Sequence, residues 1–217
     1  MIDYLLETIK YLSTGASVSL RIFFVTLALS FPISIILSMS YRLNPFFRRL
    51  TSLYTWLFRG TPLMLQLFFF MFGLPAFGIM IDRMMVAYIA FVLNYAAYFT
   101  EIMRAGIESL PKDQEESAQM MGASRLKTYR YVIMPQAIRK EMPTITNEVI
   151  TLIKDTSLVT VIAISDLMRN VKEIVSRDFT ISPFFLAAVF YLLMSFLIIK
   201  IFKKLEQKFD FMDNTVS

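Results

Sequence analysis

The 217-residue chain contains no cysteine and no histidine. These absences exclude a disulfide scaffold, a thiolate nucleophile, a zinc site with the usual ligands and a Ser–His–Asp triad. Charge is also scarce, since 18% of the residues are charged, against about 25% in a typical soluble domain. Apolar residues take its place: 56% of the chain is hydrophobic and the mean hydropathy is +0.57. This balance indicates a membrane protein and makes a soluble enzyme a poor candidate.

Long charge-free runs predict the membrane-spanning helices. Residues 22–41, 60–81, 84–100 and 179–199 lack Asp, Glu, Lys and Arg, and each has about the length that crosses a bilayer. A further span is broadly apolar but carries Glu148, Lys154 and Asp155. We therefore predict an all-α, polytopic integral membrane protein of one domain over residues 1–217. Its five spans are expected at about 17–41, 52–77, 84–105, 143–165 and 183–203.

The lysines and arginines between the spans predict the orientation. With five spans, one set of loops carries twelve of them and the opposite set carries five. Because positively charged loops stay in the cytoplasm, we predict that the amino terminus is outside and the carboxyl terminus is cytoplasmic. Residues 106–142 then form a cytoplasmic loop. The net charge of +5 is explained by this topology and by anionic lipid headgroups, so nucleic acid is not needed.

The loop at residues 106–142 contains a helix–glycine–helix pattern. Acidic residues suit the amino terminus of a short helix over residues 114–121, and Gly122 can supply a left-handed stop. A second helical segment is predicted over about 124–131, and Pro135 limits it. Such a loop is either a plain connector or a docking site for a partner. Its length among otherwise short cytoplasmic connections favours docking.

The same loop resembles the signature loop of ABC-importer permeases, usually written E-A-A-x3-G-x9-I-x-L-P. The residues that fall in register are Glu116-Ser117-Ala118, Gly122 and Val132-Ile133-Met134-Pro135. Ser117, Val132 and Met134 are small departures from the pattern. The resemblance implies the fold of a type I ABC importer and a coupling helix that contacts an ATPase. It assigns this coupling role to Gln114, Glu116, Ala118, Gly122 and Pro135.

Further motifs are similar to those of the polar amino-acid permeases, which serve histidine, arginine, lysine and glutamine importers. They are Arg59-Gly60-Thr61-Pro62, Asn94-Tyr95-Ala96-Ala97-Tyr98 and Lys154-Asp155-Thr156-Ser157-Leu158. The resemblance implies a multi-pass protein of the prokaryotic cytoplasmic (inner) membrane. It also implies three kinds of protein partner: a second permease subunit, identical or a sister chain, a cytoplasmic ABC ATPase dimer, and an extracytoplasmic substrate-binding protein.

The chain shows no nucleotide site of its own. Gly73 and Gly78 have the spacing of a phosphate-binding loop, but Ile79 and Met80 follow where Lys and Ser or Thr are required. We therefore expect a transport subunit and not an enzyme, with no cofactor and no metal bound by this chain. ATP and magnesium belong to the partner ATPase.

Two predicted spans carry polar residues on one helix face. Steps of three and four residues separate these side chains, which is the spacing of neighbours on a helix. Because ionisable groups inside a membrane are costly, they are candidates for a substrate pathway. Two hydroxyl residues that follow the second stripe could donate to a substrate carboxylate. The candidate pathway residues are Asn94, Tyr98, Glu101, Glu148, Thr151, Asp155, Thr156 and Ser157.

Each charged candidate also has a structural interpretation. Asp155 with Lys154 could neutralise groups elsewhere in the bundle, and Glu148 could bind a neighbouring helix. Glu101 could form an ion pair with Arg104 near the cytoplasmic face. For Arg59 we favour an anchoring or helix-packing role over contact with substrate.

The substrate class is inferred from charge. Three acids in the spans against one lysine favour basic amino acids, and arginine gains most because a carboxylate binds its guanidinium at two points. Glutamine or another polar amino acid is the alternative. A secondary transporter usually shows internal repeats, which this sequence lacks, and a channel or membrane-anchored interaction protein does not explain the loop signature. We expect alternating access, driven by the partner ATPase through residues 114–131.

Overall fold

The computed structural model describes residues 2–42 and 44–211, and this part of the chain is helical and contains no strand. Short π-helical or 3-10 turns extend several of the helices. The helices are α1 (Ile2–Ser40), α2 (Pro45–Gly60), α3 (Leu63–Phe68), α4 (Arg83–Glu108), α5 (Lys112–Met120), α6 (Arg125–Thr128), α7 (Met134–Lys140), α8 (Met142–Asp155), α9 (Leu167–Asp178) and α10 (Ser182–Phe211).

Among the described residues, three helices are long and apolar enough to cross a bilayer: α1, α4 and α10. A fourth crossing exists if α2 and the segment beginning with α3 are counted as one bent span. The predicted span 143–165 is divided between α8 and a 3-10 helix, Thr156–Ile162, so it forms no long apolar helix. The count of five spans therefore stays a prediction.

The first helix is longer than the predicted span 17–41, because α1 begins at Ile2. Charged residues in the added turns explain why hydropathy left them out. Contacts with α9 account for their helical structure. The Tyr4 hydroxyl donates a hydrogen bond to Asp178 at 2.9 Å. The Tyr11 hydroxyl donates one to Glu173 at 2.6 Å.

The predicted span 52–77 is not one continuous helix. The structure has α2 at Pro45–Gly60, a bend of 98°, and then α3 beginning at Leu63. Pro62 has no amide hydrogen and disfavours helical backbone at the preceding Thr61, which is extended with ψ at 141°. Hydropathy could not reveal this break, because the residues on both sides of it are apolar.

Helix α4 lies at the centre of the fold. Phe91, Tyr95, Phe99 and Met103 recur every four residues, and each is at most 1% exposed. This repeat places them on one helix face. Helix α1 packs along α4, and the Phe31 ring meets the Phe99 ring edge to face at 5.7 Å. Helix α4 is thus the central helix against which α1, α2 and α8 pack.

The loop at 106–142 and the segment that forms α9 lie at opposite ends of the bundle. Arg125 donates a hydrogen bond to the Arg42 carbonyl at 2.9 Å, so the loop at 106–142 lies at the carboxyl end of α1. Helix α9 packs near the amino end of α1, as its bonds to Tyr4 and Tyr11 show. This arrangement agrees with the relative placement of loops in the predicted topology. The absolute orientation stays a prediction.

Gly15 lies where α1 comes closest to the start of α9. A Cβ atom at this position would lie 2.6 Å from the Asp166 carbonyl oxygen and 2.8 Å from the Leu167 Cα. Both are backbone atoms, so neither can rotate away. The Leu167 amide also donates to the Ser19 hydroxyl at 3.4 Å, which holds the two helices at this distance.

We expect Gly15→Ala to lower the free energy of unfolding by about 1–3 kcal/mol, the usual cost of overpacking. Thermal unfolding of the detergent-solubilised protein measures the change. Gly60→Ala is the matched control, because a Cβ atom there meets nothing within 4 Å. Equal unfolding temperatures for the two variants would contradict the close approach.

Candidate functional site

A cavity of about 460 Å³ opens where the chain bends between α2 and α3. The bend, the middle of α4 and the second half of α8 surround it, so three separate parts of the sequence contribute. Its volume lies within the range of small-molecule sites, about 300–1,000 Å³. Its walls carry both acidic and basic side chains.

Five of the eight predicted pathway residues line this cavity, and three do not. The stripe on α8 contributes Glu148, Thr151 and Asp155, whereas Thr144, Asn147 and Lys154 of the same stripe lie outside the lining. The five are Asn94, Tyr98, Glu148, Thr151 and Asp155. Thr156 is fully buried, and its hydroxyl donates to the Ile153 carbonyl at 2.7 Å. Ser157 and Glu101 also lie outside the lining.

Seven residues that line the cavity were not among the pathway residues predicted from the sequence. Most belong to the bend, which presents Arg59 and the Gly-Thr-Pro sequence to the cavity. The signal was available, because glycine and proline inside an apolar run indicate a broken helix, and broken helices form binding sites in membrane transporters. The seven are Arg59, Gly60, Thr61, Pro62, Leu63, Tyr95 and Leu158.

Asn94 and Gln66 hold the bend in place. The Asn94 amide donates to the Phe58 carbonyl at 2.9 Å and to the Gln66 side-chain oxygen at 3.2 Å. The Gln66 amide donates to the Phe58 carbonyl at 2.9 Å and to the Thr61 carbonyl at 3.1 Å. These bonds satisfy carbonyl groups that lose helical partners at the break. Asn94 therefore supports the cavity wall, and it is only 4% exposed.

Two carboxylates, Glu148 and Asp155, lie seven residues apart on the α8 wall of the cavity. The Tyr95 hydroxyl donates to Asp155 at 2.8 Å. In the described part of the chain, neither carboxylate has a lysine or arginine nitrogen within 4.0 Å. Lys154 is exposed and does not line the cavity. The cavity therefore presents acidic groups whose charge is not neutralised by an ion pair.

Glu101 lies beside the cavity and is bound by three side chains. Arg104 donates to it at 2.6 Å and 3.0 Å, and Thr55 donates to it at 2.9 Å. An Arg59 nitrogen lies 3.6 Å from the same carboxylate. These contacts favour the ion-pair interpretation of Glu101. They also hold Arg59 at the cavity, where its guanidinium lies over the Tyr98 ring at 5.3 Å from the centroid.

The loop with the importer signature forms a helix, a sharp turn and a second helix. Helix α5 covers Lys112–Met120, and Gly122 follows with φ at 83°, the left-handed conformation predicted for it. The Gly122 amide donates to the Gln119 carbonyl at 2.9 Å, which closes the turn. Pro135 does not limit the second segment as predicted, because helical backbone continues from α6 through a π-helical turn, Tyr129–Ile133, into α7 and on to Lys140.

The surface of this loop carries several exposed apolar side chains. Met120 and Met121 are 89% and 88% exposed, and Leu126 and Tyr131 are also exposed. The predicted coupling residues Gln114 and Glu116 are exposed on α5, whereas Ala118 is half-buried. Exposed apolar side chains in such a cluster are typical of a surface that another protein covers.

A second cavity, of about 390 Å³, lies on the other side of the bend and has a different character. Leu57, Phe58, Leu65, Phe69 and Phe70 form most of its wall, and no ionisable side chain lines it. It does not offer partners for the charged groups of an amino acid.

The fold and the charged cavity together define a helical membrane transport subunit. The chain belongs to the family described as "Binding-protein-dependent transport system inner membrane component", whose model matches residues 30–211. It is the permease component of an ABC amino-acid importer and has the type I importer fold. The resemblance seen in the sequence is therefore confirmed.

Similar proteins cover almost the whole chain. The arginine transport system permease protein ArtQ of Bacillus subtilis is 35% identical over 204 residues, which are 92% of this chain and 93% of that protein. The probable glutamine ABC transporter permease protein GlnP of the same organism is 33% identical over 208 residues, 94% of this chain and 95% of that protein. A solved structure, described as an amino acid ABC transporter with histidines, matches with a TM-score of 0.84 at 28% identity. That match covers 94% of this chain and 97% of the other.

Proposed function

We propose that this permease carries basic amino acids, with arginine preferred, through the cavity between the bend, α4 and α8. The observation that carries the proposal is the pair of carboxylates, Glu148 and Asp155, that face the cavity without an ion-pair partner in the described residues. Burying such charges is costly unless something pairs with them. A guanidinium or ammonium side chain of the substrate supplies that partner.

The charges of the cavity match those of a basic amino acid. Glu148 and Asp155 supply two negative charges, and Arg59 supplies one positive charge at the rim. A zwitterionic head with a cationic side chain has the complementary pattern, so the substrate carboxylate pairs with Arg59 and its two cationic groups with the acids. This role for Arg59 departs from the anchoring role favoured by the sequence.

The names of similar proteins support the same class without deciding it. One relative is named for arginine and the solved neighbour is described with histidines, but another relative is named for glutamine. Glutamine is the competing substrate. It has no positive side chain for the second carboxylate, and the experiment below separates the two.

Coupling to ATP is assigned to residues 114–131. Gln114, Glu116, Ala118, Gly122 and Pro135 are the residues that the signature assigns to it. The exposed methionines beside Gly122 support docking of α5 in a groove of an ATPase subunit. One chain has too few spans to enclose a path, so a second permease subunit completes it. The other partners are two ATPase subunits, which bind ATP and magnesium, and an extracytoplasmic binding protein that delivers the substrate.

The mechanism is alternating access. Closure of the ATPase dimer on ATP moves α5 and opens the cavity outward to the binding protein, and hydrolysis returns it to the inward-facing state. The permease contributes the charged cavity and the moving helices.

ATP-dependent uptake of labelled arginine into liposomes tests this function. The liposomes contain this chain with its ATPase and binding protein, and glutamine is the competitor. We expect arginine to saturate uptake, glutamine to compete poorly, and Glu116→Ala to abolish uptake. Strong competition by glutamine would refute the substrate class for the complete importer, and direct binding to the permease–ATPase complex without the binding protein measures the selectivity of the cavity itself. Arginine uptake without ATP would refute the ATP-driven mechanism.

A further inference from the structure

Arg42, just beyond the carboxyl end of α1, contacts the signature loop at several points. An Arg42 nitrogen lies 3.8 Å from a Glu115 carboxylate oxygen, and its guanidinium lies over the Tyr129 ring at 5.8 Å from the centroid. The Tyr129 hydroxyl donates to the same carboxylate at 3.5 Å. Arg125 donates to the Arg42 carbonyl at 2.9 Å. Both helices of the loop thus bind one residue of α1's end.

The residue before Arg42 connects this end to α4. The Tyr41 ring has the Arg48 guanidinium at 5.2 Å and the Arg104 guanidinium at 5.5 Å from its centroid. A cation near an aromatic ring within about 6 Å is attracted to it. Tyr41 therefore joins α2 and α4 to the point where the loop is bound.

Arg104 continues the connection to the cavity. It donates to Glu101 at 2.6 Å, and Glu101 lies 3.6 Å from Arg59. Arg59 and Tyr98, over whose ring it lies, both line the cavity. Arg42 and Tyr41 are neighbours in the sequence, and every other step is a contact between side chains of opposite charge or between a cation and a ring.

We propose that Arg42, Tyr41, Arg104, Glu101 and Arg59 form a relay that transmits movement of the α5 loop to the position of Arg59 in the cavity. The relay rests on the proposed function, because it assumes that the loop is moved by an ATPase and that the cavity binds substrate. Tyr41 and Arg104 are positioning residues in it. Neither of them lies on α5 or lines the cavity.

The contacts explain why movement of the loop would change the cavity. Glu115 lies on α5 and Tyr129 on the helical turn after α6, so movement of the whole loop displaces both groups that hold Arg42. A shift of Arg42 moves the adjacent Tyr41, which changes the environment of Arg104 and thereby the Arg104–Glu101 pair. Arg59 shares that carboxylate, so the loop and the substrate carboxylate are linked through the Arg104–Glu101 pair, in which Arg104 also binds Glu108 at 2.9 Å. A measured coupling between the loop and the cavity tests this link.

The test compares Tyr41→Leu with Tyr41→Phe in the complete importer. Phenylalanine keeps the aromatic face for Arg104 and Arg48, whereas leucine removes it. The readout is arginine transported per ATP hydrolysed, which a purely structural role would not move. We expect Tyr41→Leu to lower this ratio about three- to tenfold, and Tyr41→Phe to stay within about twofold of the wild-type value.

A second pair of variants keeps the test valid if Tyr41→Leu folds poorly. Arg42→Gln and Glu115→Gln alter half-exposed side chains, whose exposure is 31% and 22%. Each is expected to lower the ratio, and the double variant is expected to fall no further than the worse single variant. Independent, multiplying effects would show that the two residues do not act together and would overturn the relay.

Glu116→Ala in the same assay separates failure of the relay from failure of the proposed function. If Glu116→Ala loses uptake while Tyr41→Leu keeps the wild-type ratio, the relay is wrong and the importer mechanism stands. Equal losses for Tyr41→Leu and Tyr41→Phe would also overturn the relay, because the aromatic face would not matter. If the wild-type importer shows no ATP-driven uptake, the proposed function fails and the relay fails with it.

Discussion

Replacing Glu148 by glutamine is expected to weaken arginine binding about 10- to 100-fold, because a charge-assisted hydrogen bond contributes about 1.5–3 kcal/mol. The change preserves the size and shape of the side chain and removes its charge. Citrulline is an uncharged isostere of arginine, and its binding should be weakened much less by the same substitution. The preference for arginine over citrulline should therefore narrow in the variant.

Direct binding of both labelled compounds to the purified permease–ATPase complex measures this preference. The binding protein is omitted because it has a selectivity of its own. Glu173→Gln is the matched control, since this residue on α9 bonds with Tyr11 and Arg169 and does not line the cavity. An arginine-to-citrulline ratio that is the same in Glu148→Gln and the wild type would refute the role of Glu148.

Replacing Gly122 by valine is expected to separate ATP hydrolysis from transport. Gly122 has φ at 83°, where a β-branched residue is strained, and a Cβ atom there meets no neighbour within 4 Å. The effect therefore comes from the backbone. Valine in the left-handed conformation costs about 1–2 kcal/mol, so the turn is expected to adopt another geometry. We expect insertion and ATPase activity to persist while arginine uptake falls about tenfold or more.

Gly78→Val is the matched control for that variant. Gly78 also has a positive φ, at 77°, and open space around it. It lies between α3 and α4, outside the signature loop. The two variants introduce the same strain at different places. If both reduce uptake equally, backbone strain is sufficient to explain the loss, and the coupling role of the α5–α6 turn is not supported.

Much of the helical framework could be predicted from charge-free runs. Helices α4 and α10 lie where the sequence placed spans, although both continue past the charge that bounds the run, α4 from Glu101 to Glu108 and α10 from Lys200 to Phe211. The extra turns of α1 could not be predicted this way. Their stability comes from hydrogen bonds to α9, which lies more than 150 residues away in sequence.

The site was predicted where helical periodicity persists and missed where it breaks. Glu148, Thr151 and Asp155 lie on one regular helix, so their spacing identified a shared face. At Thr156 the helix tightens into a 3-10 helix, and this residue turns into the core. The lining supplied by the bend depends on the 98° angle after Gly60, which no periodic pattern contains.

Glu101 illustrates a different limit of sequence reasoning. Its spacing to Arg104 allowed an ion pair on one helix, and the structure has that pair. The additional contacts with Thr55 and Arg59 come from α2, and their geometry depends on the packing of α2 against α4. A sequence could identify the acid but could not show that it holds a cation at the edge of a cavity.

The most direct test of the account is the side of the membrane from which Thr151 can be reached. The chain has no cysteine, so Thr151→Cys introduces a single thiol on the cavity wall and the wild type supplies a zero background. With a membrane-impermeant thiol reagent, we predict labelling from the cytoplasmic side without nucleotide and from the outside when ATP is bound. Arginine should slow the labelling in both states. Labelling that is unaffected by ATP and arginine would contradict a substrate path through this cavity.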